Sequence, residues 1–181
     1  MLRQPAAGAG AMIPAVAPRR RPHTLYLLRH AKSSWADPSL ADRDRPLAPR
    51  GRRNAAVLAS RLARTPIAPE LVLCSPALRA RETLAAIGDA LPRAAETRFE
   101  ERLYGAGAGE LVALLAELPA TVGAVLLIGH NPGLEDLAGL LDPRAAREPL
   151  PTSALLTVEL DGPFAGVATG RARLVDRLVP R

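Results

Sequence analysis

From residue 23 onward, short apolar runs alternate with stretches whose apolar residues fall at helical spacing. Residues 24–29 (TLYLLR) are long enough for one buried strand. Pro49–Arg64 then sets Ala55, Ala56, Leu58, Ala59, Leu62 and Ala63 on a helical stripe. Leu71–Cys74 predicts a second strand, after which Ser75-Pro76 offers a capping hydroxyl and a first-turn proline for a helix running to about Leu91. Residues 97–99 predict a short third strand, 109–118 a further helix, and 123–128 (GAVLLI) a fourth strand. Asn131-Pro132 repeats the cap-plus-proline pattern for a helix through Leu141, and residues 154–160 and 173–178 predict late strands. This alternation predicts an α/β fold of three layers, α/β/α, around a mainly parallel sheet.

In such sheets ligands bind beyond the carboxyl ends of the strands. The polar clusters of this chain sit at those ends. Arg29-His30-Ala31-Lys32-Ser33-Ser34 follows the first strand, Ser75 through Arg79 the second, and Gly129-His130-Asn131 the fourth. Two histidines, two arginines, a lysine and two helix amino-termini together predict an anion site, because guanidinium forks and backbone N–H groups match phosphate oxygens. A neutral imidazole is a competent nucleophile toward phosphorus. Neighbouring cations disfavour the imidazolium, so Arg29 and Arg79 are expected to keep His30 unprotonated.

Composition removes several other classes. One cysteine, Cys74, excludes a disulfide framework and a thiolate zinc site and fits a reducing cytosol. Three histidines, His23, His30 and His130, leave no histidine-rich metal cluster, so no metal and no cofactor are expected. No apolar run approaches the roughly 20 residues of a membrane span. Residues 1–22 contain four prolines, Arg3 and Arg19–Arg21 and no acid, and they predict a disordered extension ahead of one domain over 23–181. Arg19–Arg21 falls where a secretory signal needs small residues, which points to a cytoplasmic protein. The net charge of +6 is mostly that extension's, so neither a nucleic-acid nor a membrane partner is expected.

Leu28-Arg29-His30-Ala31 resembles the Arg-His-Gly signature of the histidine phosphatase superfamily, with alanine for glycine. Ser75-Pro76-Ala77-Leu78-Arg79-Ala80-Arg81-Glu82-Thr83 resembles its second motif, and Gly129-His130-Asn131-Pro132-Gly133 its second-histidine motif. Together with Lys32-Ser33-Ser34-Trp35, Arg45-Pro46-Leu47 and Arg50-Gly51, the set resembles the short SixA-type branch over about residues 24–180. The resemblance implies a phosphoglycerate mutase-like fold. It also implies that His30 is the phosphorylated nucleophile and that Arg29, Arg79 and His130 form the phosphate pocket. Glu101 matches the position where other members carry a general acid, a group that SixA-type members do not rely on. Lys32 is a candidate phosphate ligand, and Trp35 is expected to be a packing anchor.

Alone, either histidine would read as a satisfied core or surface residue; three motifs in order at strand ends favour the catalytic reading. A cysteine phosphatase needs Cys-x5-Arg, whereas four residues separate Cys74 from Arg79 and six separate it from Arg81. Asp42-Arg43-Asp44 imitates an aspartate-nucleophile pair but follows no apolar strand. The expected function is a metal-independent phosphatase acting on protein phosphohistidine. The alternatives are a small-molecule phosphomonoesterase and a non-catalytic module holding a phosphorylated ligand. The expected partners are accordingly a phosphorylated protein or a small phosphorylated metabolite.

Overall fold

In a computed structural model, residues 22–168 and 172–180 are described. The extension expected over residues 1–22 therefore lies outside the described residues, except for Pro22. The strands are β1 (His23–Arg29), β2 (Leu71–Cys74), β3 (Glu96–Phe99), β4 (Ala124–Gly129), β5 (Leu155–Leu160) and β6 (Ala172–Leu178). The helices are α1 (Pro49–Arg64), α2 (Leu78–Ile87), α3 (Ala108–Ala116) and α4 (Gly133–Leu141), with short 3-10 turns between elements. One six-stranded sheet runs in the order β3-β2-β4-β1-β5-β6. The β3–β2, β2–β4 and β4–β1 pairs are parallel, and β1–β5 and β5–β6 are antiparallel.

The period of two along each strand sorts its side chains to two faces. Leu25 and Leu27 of β1 pack with Leu111, Leu114 and Leu115 of α3 and Leu134 and Leu137 of α4. Leu28 of the same strand packs with Leu58 and Leu62 of α1 and Ile87 of α2. The central strands β1, β2 and β4 are buried on both faces, which is why they read as continuous apolar runs. The edge strand β3 is exposed along its length; it is short and carries the Glu96–Arg98 ion pair, features that blunt a sheet edge.

The chain leaves β1 toward β2 on one side and leaves β4 toward β5 on the other. A crevice therefore opens at the carboxyl ends of β1 and β4, the switch point where open α/β sheets bind ligands.

Two helix starts differ from expectation. α2 begins at Leu78 with Ala77 at its cap, not at Ser75-Pro76, and it ends at Ile87 before a 3-10 turn, Gly88–Ala90. α4 begins at Gly133, and Asn131 does not cap it. In both places the polar side chain is drawn to a tertiary partner, which outweighs the local capping preference.

Candidate active site

The register of the sheet brings the two histidines together. Arg29 pairs with Gly129 across β1 and β4, so the next residues, His30 and His130, leave adjacent strands at the same level. Their ring centroids lie 4.9 Å apart. Cys74 pairs with Ile128, which delivers Ser75 to the other side of His130.

Hydrogen-bond partners fix the state of each ring. His30 Nδ1 lies 2.7 Å from the Ala31 carbonyl oxygen, which can only accept. Nδ1 therefore carries the proton, and Nε2 keeps its lone pair. His30 is 8% exposed. Burial, with further pressure from the Arg79, Arg29 and Arg45 charges, pushes its pKa down to about 4 against the opposing hydrogen bond to Ala31. Burial, His30 and Arg79 push His130 down to about 3. At neutral pH both rings are neutral, and His30 presents an unprotonated Nε2.

His130 Nδ1 faces Arg79 NH2 at 3.4 Å, and its Nε2 is 2.7 Å from Ser75 Oγ. A guanidinium only donates, so Nδ1 accepts there and Nε2–H donates to the hydroxyl. Ser75 can reverse that bond, because a hydroxyl both donates and accepts. His130 is thus free to turn Nδ1 into a donor when an anion arrives.

Arg79 is buried on the first turn of α2. It donates from NH1 to the Asp42 carbonyl at 2.5 Å and from NH2 to Asp42 Oδ2 at 2.9 Å. The same helix turn holds the nucleophile's loop: Thr83 Oγ1 donates to the Arg79 carbonyl and accepts from Ala31 N–H. Arg29 donates from NH1 to the Leu150 carbonyl at 2.7 Å. Burial lowers its pKa, and the Glu135 charge opposes that shift. Glu135 also accepts from the Asn131 amide and from Leu150 N–H, so one carboxylate binds the α4 start to the 150 loop.

His30, Arg29, Arg79 and His130 therefore converge. Glu101 and Lys32 lie differently. Glu101 sits on the exposed 3-10 turn Glu101–Leu103 and accepts from Arg43 NH2 at 2.7 Å. Lys32 is exposed, and its ammonium has no hydrogen bond or ion pair among the described residues. Its carbonyl accepts from Ala48 N–H instead, at the start of α1. Trp35 is 72% exposed with the Arg45 guanidinium 3.2 Å above its ring, so it is not the packing anchor expected. Cys74 is buried, and burial pushes its thiol up to about 12, a value that suits an inert core residue.

Sequence reasoning weighed Asp42 only as half of an aspartate-nucleophile pair and missed its place beside Arg79. Its carboxylate accepts from Arg45 NH1, Arg79 NH2 and Tyr104 OH, and the Tyr104 ring stands edge-on to His130 at 5.7 Å. Burial raises the Asp42 pKa, but those donors and the two arginine charges outweigh it and keep the group ionised. The only local signal was the Asp42–Arg45 spacing of three; nothing in the sequence tied either residue to Arg79. Among the described residues no group of three or more His, Cys, Asp or Glu could hold a metal ion, and no helix is long and apolar enough to cross a membrane.

The model of the histidine phosphatase superfamily (branch 1) matches residues 25–131. An uncharacterized protein of Mycobacterium tuberculosis is 40% identical over 163 residues, covering 85% of this chain and all of the relative. Phosphohistidine phosphatase SixA of Escherichia coli is 32% identical over 139 residues, 76% of this chain and 85% of that protein. A solved protein histidine phosphatase SixA complexed with tungstate superposes with a TM-score of 0.73 at 28% identity, over 87% of this chain and 97% of that one. The paired histidines at the carboxyl edge of a phosphoglycerate mutase-like sheet thus sit in a chain that belongs to the histidine phosphatase superfamily and is a phosphatase.

Proposed function

We propose that the chain removes phosphate from protein phosphohistidine by way of a phosphorylated His30. The supporting observation is the unprotonated, buried Nε2 of His30, with Arg79 and His130 grouped beside it and Arg29 immediately before it in the chain. Nε2 attacks phosphorus in line, and the bond from phosphorus to the substrate nitrogen breaks. The substrate ring is protonated from solvent on its other nitrogen before that bond breaks, so it departs as neutral imidazole. Positive charge that develops on the His30 ring is stabilised through Nδ1–H and the Ala31 carbonyl. Arg29, Arg79 and His130 receive the negative charge of the equatorial oxygens. Water next attacks the phosphoryl group on His30, the P–Nε2 bond breaks, and inorganic phosphate leaves with His30 again neutral.

The leaving group decides between substrates. An alkoxide needs a strong proton donor in the transition state, whereas a phosphohistidine ring protonated on its other nitrogen releases neutral imidazole, whose conjugate acid has a pKa of about 6.5. Asp42 is held ionised and Glu101 is exposed and paired with Arg43, so neither offers the buried, protonated acid that ester cleavage favours. Cysteine usage supports a cytoplasmic setting, since Cys74 is a free thiol. A small-molecule phosphomonoesterase is the second reading. It requires Glu101 to leave its ion pair with Arg43 and donate a proton to the leaving oxygen.

The test is phosphate release, with EDTA present, from a phosphohistidine-bearing protein and from a phosphomonoester in parallel. Release from phosphohistidine, lost in His30→Ala and retained in Glu101→Gln, is the expected result. Faster ester cleavage that depends on Glu101 would move the assignment to the second reading.

A further inference from the structure

The charged groups of the pocket set a limit on what its occupant can carry. Arg29 is offset by Glu135, and Arg45 and Arg79 share the single carboxylate of Asp42. Both histidines are neutral. Three arginines against two carboxylates leave one net positive charge, and Lys32 in the loop after His30 adds one further ammonium, unpaired among the described residues, to meet a phosphoryl dianion. At the mouth, Arg43 and Glu101 cancel each other. One phosphoryl group therefore takes up all of this charge, and no cation among these groups is left for a second acid on the same substrate.

Asp42 is the group that sets this limit. It is fixed by three donors, from Arg45, Arg79 and Tyr104, on three different segments of the chain. A carboxylate has about four acceptor positions. Three are filled, which holds the group in place, yet its side chain is 51% exposed. A fixed negative charge thus stands at the solvent side of Arg79, the arginine that also reaches His130. Arg45 beneath it is buried and further held by Ser33 Oγ and the Ser34 carbonyl, so it cannot swing out to neutralise an incoming acid.

We infer that Asp42 is a specificity-determining residue. Its carboxylate discriminates against substrates bearing a second anionic group near the phosphoryl group, and it favours those whose leaving part is neutral or offers an N–H donor, as a phosphohistidine side chain does. The inference rests on the phosphoryl group seating among His30, Arg79 and His130. It adds that the site turns away acidic phosphometabolites such as phosphorylated carboxylic acids.

Binding of two nonhydrolysable probes at pH 8 separates the claims. The probes are benzylphosphonate and 3-carboxybenzylphosphonate, and dissociation constants are read by calorimetry with the His30 and His130 resonances as a check on location. The wild type is expected to bind the plain phosphonate more tightly. Asp42→Asn, which keeps the shape and removes the charge, is expected to narrow that preference about tenfold, less at high salt. The bulk of the ring substituent cancels in the comparison of the two ratios. Asp42→Glu, which keeps the charge, is expected to keep the preference, and Asp42→Ser serves if the asparagine variant folds poorly. If the variants weaken both probes alike, Asp42 only positions Arg79 and the inference is overturned. Probes that bind without moving either histidine resonance would overturn the pocket itself, whereas normal discrimination without any turnover would count against the phosphatase mechanism alone.

Discussion

At the scale of single residues, two partners that can only accept or only donate settle most of the chemistry. The Ala31 carbonyl makes His30 Nδ1 the protonated nitrogen, and the Arg79 guanidinium makes His130 Nδ1 the acceptor. Burial then holds both rings neutral, at about 4 for His30 and about 3 for His130. Nitrogen-15 titration of the free protein should therefore show neither ring protonating above pH 5, and His30 should report an Nδ1–H tautomer. The acid limb of kcat/KM, corrected for substrate ionisation, should fall near pH 4 and not near 6.5. A ring that titrates near 6.5 would mean that it is not buried among these cations. The sequence already pointed to His30, Arg29, Arg79 and His130, because each lies at a strand end or within a motif in order. The contact of Asp42 with Arg79 escaped notice because Asp42 opens an isolated 3-10 turn without wider periodicity and meets Arg79 across 37 positions.

At the scale of elements, α1 and β2 were legible to the residue, since their apolar spacing is unambiguous and α1 carries proline in its first turn. The starts of α2 and α4 were not. Ser75 and Asn131 have the side chains of helix caps, but one meets His130 and the other meets Glu135 and the Leu150 carbonyl. Such tertiary bonds cannot be seen in a local pattern. Two glycines show how closely the elements press on the site. A Cβ on Gly51 of α1 would overlap the Lys32 carbonyl in the loop after His30, and one on Gly133 of α4 would overlap the Ala106 carbonyl. Helix propensity alone favours alanine at both positions. Backbone overlap wins, and Gly51→Ala is expected to cost about 1–3 kcal/mol, several degrees of Tm, and to slow turnover by displacing the nucleophile's loop. Gly88 has helical dihedrals and open space, so Gly88→Ala is expected to stabilise by about 0.4–1 kcal/mol without changing turnover. Thermal melts of the two variants check the contrast in sign.

At the scale of the whole molecule, a sheet whose connections leave β1 and β4 toward opposite sides collects distant segments at one edge, and folding must bury two histidines there to do so. In the unfolded chain these rings titrate near the ordinary value of about 6.5. Between pH 6.5 and their folded values the unfolded chain binds more protons, so stability is full above 6.5 and declines as the pH falls. Each ring should remove on the order of 1–2 kcal/mol by pH 5, a sizeable part of a typical 5–15 kcal/mol. Urea midpoints at pH 7.5, 6 and 5 should fall in step, in a window where Asp42 and Asp142, both held below the usual carboxylate range, stay ionised. An unchanged midpoint would show that the histidines are not buried neutral. The most direct measurement is to quench the reaction at alkaline pH and map the acid-labile phosphate by mass spectrometry and phosphorus NMR. The expected result is one phosphoryl group on Nε2 of His30, absent from His30→Ala. Label on another residue, or undiminished phosphate release by His30→Ala, would contradict His30 as the nucleophile.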